Sequence, residues 1–89
     1  MSHLRPEDIY PVLRDYVVRE LLHGEEGGLA ADTPLLEWGV IDSLSLAELL
    51  AFIEQRFSIQ VAEEEVTPDH FQSLGALSAL LARLSGAHG

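Results

Sequence analysis

Three apolar stripes at helical spacing, separated by glycine and proline breaks, decide what this chain can fold into. Ile9, Val12, Leu13, Tyr16, Val17 and Leu21 recur at three- and four-residue steps. Leu46, Leu49, Leu50, Ile53 and Phe57 do the same, and so do Leu74, Leu77, Leu80, Leu81 and Leu84. That period puts each set on one face of a helix. The spacing predicts helices over about 9–23, 43–57 and 74–84. Gly24-Glu25-Glu26-Gly27-Gly28, Asp32-Thr33-Pro34, Gly39 and Thr67-Pro68 are the breaks between them.

Each helix carries end signals. Asp8 as the first cap puts Pro11 at the third helical position, where the missing N–H has no intrahelical partner. Gly24 supplies the stop. Asp42 and Ser43 can each cap the second helix, and Ser45-Leu46-Ala47-Glu48 also fits a capping box, which leaves its first turn open. Ser73 caps the last. Ile59-Gln60-Val61 alternates apolar and polar, but a lone strand has nothing to pair with, so it reads as an extended, half-buried connector. A short third helix belongs within 63–71, where Thr67 as cap and Pro68 at the first position make a start signal. The fold class is therefore all-α: a four-helix bundle of three longer helices and one short one. Residues 24–42 form a long loop between helices 1 and 2, rich in Leu35, Leu36, Trp38, Val40 and Ile41. We expect it to pack down over the bundle, Trp38 included. The 89 residues make one domain over 1–89, with a core of about 8–84 and a frayed tail at 85–89.

Charge and cysteine content exclude several functions. Five arginines and no lysine stand against fifteen acids, a net charge of −10. Such a chain is repelled by phosphate backbones and anionic lipid, so we expect no nucleic acid and no membrane, and basic protein partners instead. Without cysteine there is no disulfide, thiolate catalysis or thiolate metal site. No apolar run approaches the ~18 residues of a membrane span, and the acidic start is not a signal peptide. We expect a soluble, cytoplasmic monomer.

Catalytic patterns are missing as well. Ser43 is not in a Gly-x-Ser-x-Gly elbow, Gly27-Gly28 leads to no phosphate loop, and Glu63-Glu64-Glu65 lacks the spacing of a calcium ladder. The histidines (His3, His23, His70 and His88) show no metal spacing, so no metal site is expected. A hydrolase built on Ser43 would need His70 as its base.

The stretch that stands out is Leu35-Leu36-Glu37-Trp38-Gly39-Val40-Ile41-Asp42-Ser43-Leu44. Its closing Asp-Ser-Leu resembles the phosphopantetheine attachment site of acyl carrier proteins. The flanks resemble that family too: a Gly three residues before the Asp, an amphipathic helix ending in Phe57, then Ile59-x-Val61, an acidic run and a last short helix. The resemblance covers about residues 8–84. It implies a non-catalytic carrier, with Ser43 as the modified serine and Asp42 and Leu44 at the family's flanking positions. It further implies that a phosphopantetheinyl transferase, using Mg²⁺, attaches the phosphopantetheine arm of coenzyme A to Ser43. The arm's thiol then holds an acyl or aminoacyl group as a thioester. The partners implied are that transferase, a loading ligase or acyltransferase, and a downstream synthase or transferase. Off the core stripe of helix 43–57, Asp42, Leu44, Ala47, Glu48, Ala51 and Glu54 form an acid-rimmed patch that we expect to contact partners.

Departures from the family pattern narrow the role. Fatty-acid carriers usually have acids where this chain has Ser45, Gln55 and Arg56, and peptidyl carriers usually have a Gly-Gly pair where it has Val40-Ile41-Asp42. The expected role is therefore a discrete carrier of secondary metabolism, in polyketide or related biosynthesis. The alternative is an unmodified acidic helical adaptor that binds a basic partner through helix 43–57.

Overall fold

A computed structural model describes residues 4–22, 24 and 28–87, with the side chains of 86 and 87 left aside. Among these residues the chain is all-helical: α1 (Pro6–Tyr16), a π-helical continuation (Val17–Leu21), α2 (Ser43–Phe57), a 3₁₀ turn (Glu63–Glu65), α3 (Pro68–Phe71) and α4 (Leu74–Ala87). The four-helix architecture with a long first loop is the one the stripes predict.

The first helix starts earlier than the sequence reading had it. Pro6 takes the first helical position and Arg5 the cap. Asp8 is not the cap; from the third position its Oδ2 accepts the Arg5 backbone N–H at 3.3 Å. Pro11 consequently lies inside the helix. It costs the bond to the Glu7 carbonyl, but both residues are exposed, so water can take that carbonyl. The final turn widens into π geometry, closed by Leu22 N–H donating to the Val17 carbonyl at 2.9 Å. Gly24 ends the run as expected, at φ 89°, donating to the Val18 carbonyl at 2.7 Å.

The core gathers Ile9, Leu13 and Val17 of the first helix, Leu49 and Ile53 of α2, Phe71 of α3, and Leu74, Leu77, Leu80 and Leu81 of α4. Leu46, Leu50 and Phe57 are only half-buried, so the buried stripe of α2 is narrower than its sequence pattern. Phe52, off that stripe, stacks on Tyr16 with ring centroids 4.2 Å apart and joins α2 to α1. Ile59 anchors the extended connector in the core. Both halves of 63–71 form turns, and Thr67 caps α3, its Oγ1 accepting His70 N–H at 3.4 Å. Ser73 Oγ accepts Ala76 N–H at 3.1 Å at the start of α4. That helix runs to Ala87 rather than 84. Ser85, expected in a frayed tail, is helical, and its Oγ accepts Leu4 N–H at 2.9 Å. Residues 88 and 89 of that expected tail lie outside the described residues.

The long loop is stitched down by its backbone. Thr33 is buried and exchanges bonds with Ala30, its Oγ1 accepting Ala30 N–H at 2.7 Å. Gly75 N–H donates to the Ala31 carbonyl at 2.8 Å, and Leu35 N–H to the Gln72 carbonyl at 2.7 Å. A Cβ on Gly75 would stand 3.1 Å from that Ala31 oxygen, which is why a glycine suits this approach. Leu29, Leu35 and Ile41 are buried. Trp38 is not: it is 57% exposed, against our expectation that it packs. The turn over Leu35–Ile41 has one inward side, and Leu35 and Ile41 fill it.

Candidate functional site

The loop delivers the chain to the start of α2, where Asp42 proves to be the cap and Ser43 the first helical residue. Asp42 has extended backbone, and its Oδ1 accepts Ser45 N–H at 2.9 Å. Hydrogen bonds from the Ser45 backbone and side chain hold its carboxyl below the ordinary value of 3.8, against a small opposing effect of burial. The capping-box pattern at Ser45–Glu48 is thus unused, because the helix begins two residues before Ser45.

Ser43 is exposed, and among the described residues its hydroxyl has no hydrogen-bond partner. It stands at the helix end where free N–H groups and the dipole favour an anion. Among the described residues no histidine or carboxylate side chain is hydrogen-bonded to the Ser43 hydroxyl. His70, the residue a hydrolase would need, is engaged elsewhere: its Nδ1 is 2.7 Å from the Glu65 carbonyl and 3.3 Å from Thr67 Oγ1. Glu65 in turn accepts from Arg83 at 3.0 Å, tying the 3₁₀ turn to α4. The Ser43 environment suits a hydroxyl modified from outside better than one that attacks by itself.

The other residues singled out in the sequence also reach the surface. Asp42, Leu44, Ala47, Glu48, Ala51 and Glu54 are all exposed. Leu44, Ala47, Glu48, Ala51 and Glu54 are linked by steps of three and four residues and make one side of α2, with Asp42 capping it. The side is divided. Ala51 and Glu54 line an open groove of about 490 Å³ against Gln60, Val61 and Ala62, where Gln60 Nε2 donates to Glu54 Oε2 at 2.9 Å. Glu48 acts toward α1: with Glu20 it adds to the effect of burial in raising the Tyr16 hydroxyl above its ordinary value.

Two surface residues were missed. Leu36, Trp38 and Leu44, at 40%, 57% and 69% exposure, are the large apolar side chains exposed among the described residues, and only Leu44 was foreseen. The signal in the sequence was electrostatic. From Glu20 to Glu54 there are eight acids and neither Lys nor Arg, so the charge of this stretch is uniformly negative. Among the described residues no cluster of three or more metal-ligating side chains occurs, and no helix is long and apolar enough to cross a membrane.

This is a carrier-protein fold: a helical bundle with an exposed serine heading its second helix. The family model for the phosphopantetheine attachment site matches residues 12–81. The probable acyl carrier protein PigG of Serratia sp. (strain ATCC 39006) is 31% identical over 72 residues, 81% of this chain and 83% of that one. A chain in a solved structure described as "Crystal structure of FAD-dependent dehydrogenase" superposes with a TM-score of 0.75 at 40% identity, covering 79% of this chain and 99% of that one. "Structure of KstB-PCP(apo)" gives 0.68 at 33% identity, over 86% and 82% of the two chains. The chain belongs to the phosphopantetheine attachment family. Members of that family are non-catalytic carriers, hold 4'-phosphopantetheine covalently, and work with modifying and synthase enzymes.

Proposed function

We propose that the arm is attached to Ser43 and that the protein carries an acyl or aminoacyl group on it as a thioester in secondary metabolism. The observation that carries this reading is the Ser43 hydroxyl itself: exposed, unengaged, and set at a helix N-terminus beside the capping Asp42. In the modification the Ser43 oxygen forms a bond to the β-phosphorus of coenzyme A. The bond from that phosphorus to the adenosine 3',5'-bisphosphate portion breaks, and the serine proton leaves to a base of the transferase. The new phosphodiester lies where the free N–H groups of α2 favour an anion. Asp42 keeps the first turn in place by its bond to Ser45. Leu44, Ala47, Glu48, Ala51 and Glu54 provide the surface on which partners dock, and a loading ligase or acyltransferase supplies the cargo.

The description of the flavoprotein structure supports a reading of one consumer of the cargo. The similar chain in that structure is only about 70 residues long by the shared coverage. This is short of a doubly wound dinucleotide domain, so a chain of this length has no room for one of its own. We take an FAD-dependent dehydrogenase as one enzyme to which this carrier presents its cargo. The cargo loses two hydrogens and FAD accepts them. Incubation with coenzyme A, Mg²⁺ and a broad-specificity phosphopantetheinyl transferase tests the attachment by intact mass. Wild type should gain one phosphopantetheine and Ser43→Ala none; an unchanged, folded wild type would refute the reading.

A further inference from the structure

We infer that Trp38, together with Leu36 and Leu44, is the apolar anchor by which the phosphopantetheinyl transferase docks, so that the loop before α2 supplies the main contact. This rests on the Ser43 reading above. A folded domain hides its large apolar side chains where it can, and here the exposed ones fall between positions 36 and 44. Trp38 is held out on a fixed turn: its N–H donates to the Pro34 carbonyl at 2.9 Å, and Val40 N–H to the Leu35 carbonyl at 2.9 Å. Gly39 follows it at φ 75°. An aromatic ring presented from a braced backbone loses little freedom on binding, which is the usual character of an interface hot spot.

Geometry brings the transferase to this ring. An interface of about 800 Å² per partner corresponds to a disc of roughly 16 Å radius. Five residues separate Trp38 from Ser43, a reach of at most ~17 Å even for extended chain. The turn shortens it. An interface of that size centred on Ser43 can therefore reach Trp38 as well. The occupant's chemistry follows from charge. Glu37, Asp42 and Glu48 are exposed around these apolar residues, in a stretch with no Lys or Arg from residue 20 to 55. The matching surface is an apolar depression ringed by Lys and Arg, with the acids steering encounter and Trp38 holding the complex.

Steady-state kinetics of the broad-specificity transferase with coenzyme A and Mg²⁺ test this, with Trp38→Ala, Trp38→Phe and Leu44→Gln, and thermal melts as the control for folding. Trp38→Ala should lower kcat/KM by about tenfold or more, through KM, while Trp38→Phe stays within about threefold of wild type. Leu44→Gln should also raise KM, and it keeps the docking testable if Trp38→Ala fails to fold. Raising salt should slow wild type and Trp38→Phe by the same factor, because the acids are untouched. A folded Trp38→Ala modified with wild-type kcat/KM overturns the docking role and leaves Ser43 as the attachment site. A loss confined to kcat and matched by a lower melting temperature makes Trp38 a structural residue and overturns it too. A wild type that is never modified overturns the Ser43 reading and the docking with it.

Discussion

Leu35→Ala and Trp38→Ala, three residues apart in one loop, should differ about two- to threefold in their effect on stability. Leu35 is fully buried, and its backbone both donates to Gln72 and accepts from Val40. Truncating such a leucine costs about 2.7–5 kcal/mol, from lost transfer energy and the cavity left behind. Trp38 keeps 57% of its surface exposed, so it hides at most about 110 Å² of a surface of roughly 250 Å². At about 25 cal/mol per Å² the ceiling is ~2.7 kcal/mol. The backbone's share and a compact unfolded chain reduce it to about 1–2 kcal/mol. For a domain of this size each kcal/mol moves Tm by about 4–8 °C, so Leu35→Ala should lower Tm by more than ~10 °C. Urea unfolding followed by far-UV circular dichroism is the assay, because the single tryptophan is lost in one variant. Equal losses for the two variants, at unchanged m, would refute the division of the loop into a buried anchor and a presented ring.

Two further outcomes follow from α2 and α4. Asp42 has a carboxyl held below its ordinary value in the folded state, so its contribution to stability is present above the unfolded value near 3.8 and is lost as pH falls through the lower folded one. Asp42→Asn, which can still accept from Ser45, should flatten this acid limb in melts across that window while changing little at neutral pH; an unaltered limb counts against the cap. Ser78 is 1% exposed, with no hydrogen-bond partner for its Oγ among the described residues. Ser78→Ala should be neutral or stabilise by up to about 1 kcal/mol in urea unfolding, since it removes an unpaired buried hydroxyl. A clear destabilisation would mean that this hydroxyl is bonded.

The helices were legible where periodicity and end signals agreed. The bounds of α2, the Thr67–Pro68 start of α3, the Ser73 cap and the Gly24 stop all follow from residue type, because each meets a local backbone need. The start of α1 was missed because Pro11 was read as a constraint and Pro6 was not, although proline at the first helical position is the commoner signal. The π turn has no periodic signature in five residues. The loop was half legible. Apolar content showed that it packs, but a turn has no repeat to say which of Leu35, Leu36 and Trp38 faces inward; the bonds to Gln72 and Ala31 from elsewhere in the chain decide that. At the candidate site, Asp-Ser-Leu singled out Ser43 as the proposed attachment point, while the choice of Asp42 over Ser43 as cap needed coordinates.

The most direct test of attachment is tandem mass spectrometry of the peptide spanning α2 after modification by the transferase, because Ser45 offers a rival hydroxyl two residues on. Ser45 is half-buried and its N–H is bonded to Asp42, whereas Ser43 is exposed and unengaged. Fragment ions should place the whole phosphopantetheine mass on Ser43. Fragments that place it on Ser45, or a peptide that carries none, would contradict Ser43 as the point from which this protein presents its cargo.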